Sequence, residues 1–300
     1  MPRIVFVTGA AGAIGARLLP ALQAAGWRTR ALVHRREVED ADEQVRGDLA
    51  DAASLRTGAT GATAVLHLAA RTHARREGEY RAINVDGTAR MLAAARDTGV
   101  DRFVLVSTRA ISPHGGAYSR TKLEAEDIVR AAPVEHAIVR IPEVYGAGGR
   151  EGVDDMLRRA ARGSAIPVVG RGADVLCPVH VDDVTGPLVE ALSAPAAAGR
   201  TYTLAGECHT AREVAEACAS SYGARARIVG VPAPVVRLAC AGARFLPLPL
   251  YPDQLARLRA EKPAPSPEAE SDLSFAPRAL AEGLRDAGAA ASPAEPAGSP

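Results

Sequence analysis

The stretch "VTGAAGAIGARLL", Val7 to Leu19, decides the fold. Gly9, Gly12 and Gly15 follow the apolar run "RIVFV" from Arg3 directly and open the helical pattern "ARLLPALQAAG" from Ala16. Glycine lets such a turn take a positive φ, lets a pyrophosphate approach the backbone and lets the helix pack closely on the sheet. The helix N-terminus then offers unpaired N–H groups to the anion. With a strand before it and a helix after it, the triplet favours dinucleotide binding over a purely structural tight turn.

Outward from this turn, "TRALV", "AVLHLA", "RFVLVS" and "HAIVRI" are short apolar runs of the kind buried on both faces of a parallel sheet. The stretch "NVDGTARMLAAARDTG" from Asn84 has apolar residues at helical spacing and lies between two of these runs. The order is βαβαβ. It predicts an α/β protein with a doubly wound parallel sheet, a Rossmann fold.

Composition narrows the function classes. The 300 residues are 47% hydrophobic, and 36 basic against 35 acidic side chains leave a net charge of +1 without long blocks of either sign. No footprint for nucleic acid results. Cys177, Cys208, Cys218 and Cys240 are scattered without CxxC or His-rich metal spacing, so reduced, mostly buried thiols and no metal site are expected, as in a cytoplasmic protein. "MPRIVFVTG" carries no export signal. The apolar segment "VPAPVVRLACAGARFLPLPL", Val231 to Leu250, is broken by Arg237, Arg244 and prolines, too interrupted for an integral membrane span. It reads as an amphipathic helix, with a membrane-surface role as the other reading. From Asp286 to Pro300 the chain is poor in large apolar residues and reads as a disordered tail.

Several motifs stand in order along the chain: "TGAAGAIG" at Thr8 to Gly15, "GDL" at Gly47 to Leu49, "HLAA" at His67 to Ala70, Asn84, "RFVLVST" at Arg102 to Thr108 and "YSRTK" at Tyr118 to Lys122. Later come "RIPEVYGAG" from Arg140, "PVHVDDV" from Pro178 and "DLSFAPRALAEGLR" from Asp272. Together they resemble the extended short-chain dehydrogenase/reductase family, the NAD(P)-dependent epimerase/dehydratase group, over roughly 285 residues. The resemblance implies an enzyme: an oxidoreductase or epimerase acting on a hydroxyl or carbonyl of a small-molecule substrate. It also suggests a homodimer through the helices near Asn84 and Tyr118.

By that resemblance Tyr118 is the acid/base, Lys122 its partner and Thr108 the hydroxyl that holds the substrate oxygen, with Ser107 just before it. A phenol with an ordinary pKa of about 10 exchanges protons poorly near neutrality, and a cation one helical turn away favours the phenolate. The bland reading is that Tyr118 and Lys122 share a solvated helix face. The cofactor-binding set carried over comprises Thr8, Gly9, Gly12, Ala13, Ile14, Gly15, Asp48, Leu49, Leu68, Ala69, Ala70, Asn84, Ser107, Tyr118, Lys122 and Ile141, with His34, Arg35 and Arg36 at the end of the second strand. An acidic residue usually stands there in NAD enzymes, so two arginines able to fork onto a 2′-phosphate favour NADP over NAD. Asp48 also reads as a turn residue.

Departures from the family pattern are informative. Arg109 and Ala110 replace the Asp-Glu pair that nucleotide-sugar dehydratases place after the strand Thr, which speaks against dehydration by that route. Leu176 stands where nucleotide-sugar epimerases carry a diphosphate-gripping Arg, with Arg171 as an imperfect substitute. The alternatives are therefore a nucleotide-sugar epimerase and a non-catalytic NADP-binding structural or assembly protein. The latter is like the branch that resembles an accessory subunit of respiratory complex I. Residues 1–140 plus about 172–204 are expected to form the dinucleotide-binding domain. About 141–171 plus 205–285 form a smaller, discontinuous C-terminal substrate region, with Glu143, Val144, Tyr145 and Arg150 near substrate. His180 reads as a packed histidine at the domain junction. Asp182 and Asp183 read as caps of the following helix.

Overall fold

A computed structural model describes residues 3–291 except 147, 150, 223–225, 244 and 246–249. Arg150 and the tail beyond residue 291 thus lie outside the described residues. The first half of the chain runs β1 (Arg3–Thr8), α1 (Ala13–Ala24), β2 (Trp27–Val33), β3 (Glu43–Arg46), α2 (Ala52–Ala59), β4 (Ala64–His67), α3 (Glu77–Asn84), α4 (Asp86–Asp97), β5 (Arg102–Thr108), α5 (Gly116–Arg130) and β6 (Glu135–Ile141). The second half runs β7 (Val144–Tyr145), α6 (Gly152–Ala161), β8 (Ile166–Val169), β9 (Val175–Leu176), β10 (Val179–His180), α7 (Val181–Glu190), β11 (Thr201–Thr203), β12 (His209–Thr210), α8 (Ala211–Ser221), β13 (Ile228–Val231), α9 (Ala233–Gly242), α10 (Gln254–Arg259), α11 (Glu268–Leu273) and α12 (Leu280–Ala291).

Seven parallel strands form the central sheet in the order β11-β6-β5-β4-β1-β2-β3. This is the doubly wound sheet that the apolar runs predict. All seven residues of β5 are buried, as expected of a strand covered on both faces. The edge strand β3, "EQVR", alternates half-buried and exposed and carries no apolar run to announce it. Strand order reverses between β1 and β4, which opens a crevice beyond their C-terminal ends.

One face of the sheet packs against α1, α7 and α11 through Leu18, Leu22, Leu188 and Leu273; the other packs through Leu55, Met91, Leu92 and Val129 of α2, α4 and α5. Ala269, Leu273 and Phe275 thus join the sheet's core, although the sequence places them in the substrate region. The reason is local: α11 lies on α7 and β11. A third core, with Tyr145, Leu157, Val214 and Leu284, gathers α6, α8 and α12. The last helix continues past residue 285, where the sequence predicts the tail to begin, because Ala287 is still buried in that core.

Two expectations are corrected. Cys177 and Cys208 form a disulfide, while Cys218 and Cys240 are free and buried. The antiparallel pairing of β9 with β12 sets Leu176 opposite His209, which brings the next residue, Cys177, to Cys208 across 31 positions of sequence. That proximity has no sequence signal, and it removes the ground on which reduced thiols pointed to the cytoplasm. The second correction concerns α7: its N-cap is His180, whose side chain accepts from the Asp182 amide, not either aspartate. Asp183 instead receives three hydrogen bonds from the Arg278 side chain, at 2.7, 2.9 and 3.1 Å, and a fourth from its amide at 3.0 Å.

The helix α5 buries an unusual face: Tyr118, Ser119, Thr121, Lys122, Ala125, Glu126 and Val129. Such a polar stripe is tolerated only when each group is paired. Glu126, with no exposed surface, accepts from Ser107 at 2.6 Å and from Arg140 at 2.7 Å. Ser107 and Arg140 are register partners on β5 and β6, so one carboxylate ties the helix to two adjacent strands. Burial alone would raise the Glu126 carboxyl, yet the hydrogen bonds from Arg140 and Ser107 and the charges of Arg140 and Arg130 hold it below the usual carboxylate range.

Replacing Glu126 by Ala strands the Arg140 guanidinium and the Ser107 hydroxyl, and is expected to cost about 3–5 kcal/mol in chemical denaturation. Because the folded carboxyl titrates below its unfolded value of 4.5, its stabilisation is present above that pH and is lost as pH falls through the folded value. Glu126→Ala should therefore flatten the acid limb of the stability curve measured between neutrality and pH 3.

Candidate active site

The C-terminal ends of β1, β4 and β5 converge on the crevice at the strand-order reversal. Thr8 ends β1 and is fully buried; its hydroxyl meets His67 Nδ1 at 2.7 Å, and His67 Nε2 meets the Thr88 hydroxyl at 3.0 Å. Burial pushes the His67 imidazole down to about 3, helped by the charge of Lys122, so it stays neutral and serves as a bridge between the turn and α4.

The glycine turn meets the requirements of a dinucleotide cradle. Gly9 has φ +78°, and a Cβ there would lie 2.7 Å from the Ala69 amide nitrogen. A Cβ on Gly15 would lie 2.4 Å from the Ala10 carbonyl oxygen, so the helix can approach the turn this closely only without a side chain. The N-cap of α1 is Gly12, without a side-chain cap, which leaves the first-turn amides of Ala13, Ile14 and Gly15 to an outside acceptor. The residues present fit a pyrophosphate.

Around this cradle the remaining candidates fall into two groups. Leu68, Ala69 and Ala70 follow β4 half-buried beside the turn, with the Leu68 amide bonded to the Thr8 carbonyl. His34, Arg35 and Arg36 are exposed just past β2, and Arg36 reaches the Ala11 carbonyl of the turn at 3.2 Å. His34 lies 4.0 Å from Asp48. Others are engaged structurally. Asp48 accepts from the Ala50 and Asp51 amides, the turn role its sequence position allows. Leu49 is buried against Gly87. Asn84 clasps the backbone of Arg71 and donates to Thr121. Ser107 is committed to Glu126. Ile141 ends β6 and accepts from the Arg109 amide.

Thr108, Tyr118 and Lys122 lie together at the end of β5 and the start of α5, all buried. Lys122 donates to the Val106 carbonyl at 2.9 Å, not to the phenol. Burial pushes its ammonium down to about 8, against the nearby Glu126 charge, which holds it up. The cation that faces Tyr118 is Arg257, from α10, 4.9 Å above the ring centroid. Burial pushes the Tyr118 phenol up, Arg257 and the Thr108 hydroxyl pull it back, and Asp253 pushes it up again.

Sequence reasoning missed Arg257, Asp253 and Tyr80. Asp253 accepts from the Tyr118 amide at 3.0 Å and from the Tyr80 hydroxyl at 3.1 Å, across 135 and 173 positions. No local pattern carries such contacts. The substrate-side candidates also resolve differently. Tyr145 is a core residue, edge-on to His180 at 5.4 Å, and Gly146 beside it takes φ +88° in a turn whose Cβ would strike that imidazole. Val144 pairs with Val179 across β7 and β10. Glu143 accepts from the Cys177 amide at 3.4 Å and lies 3.6 Å from Lys262. Leu176 is buried, and Arg171 lends its carbonyl to Arg212. Arg109 is tied to the Pro263 carbonyl. An open groove of about 670 Å³ runs between the loop from Ile111 to His114 and the segment from Ala256 to Ala264, beside the arm that carries Arg257.

Residues 5–205 match the NAD dependent epimerase/dehydratase family. The chain is 34% identical over 238 residues to ceramide reductase of Caulobacter vibrioides, covering 77% of this chain and 74% of that protein. It is 29% identical to 2-alkyl-3-oxoalkanoate reductase of Stenotrophomonas maltophilia, covering 73% and 76%. Among solved structures it superposes on MoeE5 in complex with UDP-glucose and NAD with a TM-score of 0.77 and 26% identity, covering 93% of this chain and 95% of that one. Among the described residues, no helix is long and apolar enough to cross a membrane. With its sheet order, its glycine cradle and a family match over two thirds of its length, the chain belongs to the NAD-dependent epimerase/dehydratase family, oxidoreductase-type enzymes that bind NAD(P).

Proposed function

We propose that the protein is an NADPH-dependent reductase of a carbonyl substrate, with Tyr118 as the proton donor. The observation that carries this reading is the gathering of buried Thr108, Tyr118 and Lys122 where β5 ends and α5 begins, with the Arg257 guanidinium 4.9 Å above the Tyr118 ring, on the same C-terminal edge of the sheet as the glycine turn. The bound nicotinamide supplies the hydride to the carbonyl carbon. Tyr118 delivers the proton to the carbonyl oxygen, and Thr108 holds that oxygen in line. Lys122, whose ammonium donates to the Val106 carbonyl, is assigned the ribose of the bound nucleotide. Arg257 lowers the cost of leaving a phenolate once the proton has moved.

Two features favour reduction over epimerisation of a nucleotide sugar or dehydration. Buried Leu176 gives no grip on a substrate diphosphate, and Arg109, committed to Pro263, gives no acid for elimination. Two relatives named as reductases, each covering more than 70% of this chain, support the same reading. The preference for NADPH rests on His34, Arg35 and Arg36 filling the first three positions past β2, where an acidic residue would accept from a ribose 2′-hydroxyl.

Tyr118→Phe is expected to lower kcat by roughly 10²–10⁴-fold while NADPH affinity measured by calorimetry is retained; unchanged turnover would remove Tyr118 from the reaction. Removing the cation in Arg257→Met raises the phenol's pKa, so the alkaline fall in reductase rate moves to higher pH; a profile that stays put overturns the role given to Arg257. In Arg35→Ala/Arg36→Ala the KM for NADPH should rise roughly 10–100-fold and that for NADH little, as steady-state rates with the two cofactors would show.

A further inference from the structure

The helix α9 is turned inside out. Its buried side offers Cys240, with Ala243 just beyond its end, whereas Val235 and Leu238 are 55% and 76% exposed, and Phe245 beyond it is 84% exposed. Among the described residues five large hydrophobic side chains are exposed, and four of them, counting Val229 on β13, belong to this one stretch. Pro234, Leu238 and Ala241 follow at steps of four and three along α9, all exposed on one helical face, with exposed Phe245 just past its end. A stripe of this kind on a water-facing helix costs solubility unless something covers it.

Charge indicates what that is. From Ala217 to Pro252 the sequence has no acidic residue, while it has Arg225, Arg227, Arg237 and Arg244. Arg237 is exposed beside Leu238. An apolar stripe with exposed Arg237 beside it and exposed Arg227 just before β13, in a segment whose sequence carries no carboxylate, matches an anionic lipid surface, where the apolar side chains sink to the acyl boundary and each basic side chain adds to the attraction. We propose that α9 docks the protein onto an anionic lipid bilayer. The stretch is continuous with the active site: α9 packs on α10, which carries Arg257 over the Tyr118 ring, and the Ala243 carbonyl at its end accepts from Arg75 in the loop before α3. Docking therefore brings the Arg257 arm to the membrane. The inference stands apart from the reductase reading, because binding to vesicles is measured without turnover.

The full-length protein is mixed with vesicles of phosphatidylcholine containing roughly three parts in ten phosphatidylglycerol, and with vesicles of phosphatidylcholine alone, and floated on a density gradient. The protein is expected to rise with the anionic vesicles only, and Leu238→Glu/Phe245→Glu to lower the bound fraction about tenfold with unchanged NADPH affinity. As a second measurement, Leu238→Trp gains an indole whose emission is quenched by chain-brominated lipid, while buried Trp27 stays unquenched. Wild-type protein that stays with the soluble fraction, or a double variant that floats equally well, overturns the proposal. So does a dimer that the double variant dissolves while brominated lipid leaves the new indole bright, since a second copy would then be the occupant.

Discussion

The site depends on one buried carboxylate. Glu126 stands one helical turn beyond Lys122 and two beyond Tyr118, and it holds Ser107 on β5 and Arg140 on β6 at once. A helix lying on a sheet is free to slide or roll by an ångström at little cost in apolar contact. An ion pair with hydrogen bonds to two strands is not, because any displacement leaves charge without a partner at low dielectric. The rotation of α5 is thereby set, and with it the depth at which Lys122 meets the Val106 carbonyl and the direction in which the Tyr118 ring leaves the helix.

From this anchor follows a graded electrostatic arrangement. His67, deep between the glycine turn and α4, is neutral and acts as a hydrogen-bonded spacer. Burial pushes the Lys122 ammonium down to about 8, an effect that the Glu126 charge only partly offsets. At Tyr118, burial and Asp253 favour the phenol, Arg257 and Thr108 favour the phenolate. Burial outweighs the pull of Arg257 and Thr108, so the phenol is held above its ordinary value.

The C-terminal half completes this balance from a distance. Asp253 fixes the amide of Tyr118 and the hydroxyl of Tyr80, and Arg257, one turn further along, covers the phenol. The same segment continues the exposed helix α9. The Arg257 guanidinium over the Tyr118 ring and the exposed face of α9 therefore belong to two helices packed on each other.

The family and the sheet were legible without coordinates, because both are written in short-range patterns. Apolar runs of strand length and the turn from Gly9 to Gly15 carry their meaning within a dozen residues, since backbone freedom and burial of a strand on two faces are local constraints. The polar edge strand β3 escaped for the same reason: without an apolar run it has no such signature. In the candidate site, the spacing of Tyr118 and Lys122 put both on one helix face, but the sequence could not say where the ammonium points. Tertiary structure decided that it serves Val106, that Arg257 is the cation over the phenol, and that Cys177 meets Cys208. Those contacts join residues 16, 139 and 31 positions apart in turn. They arise from how packed elements bring chain ends together, a property of the whole fold that no window of sequence contains.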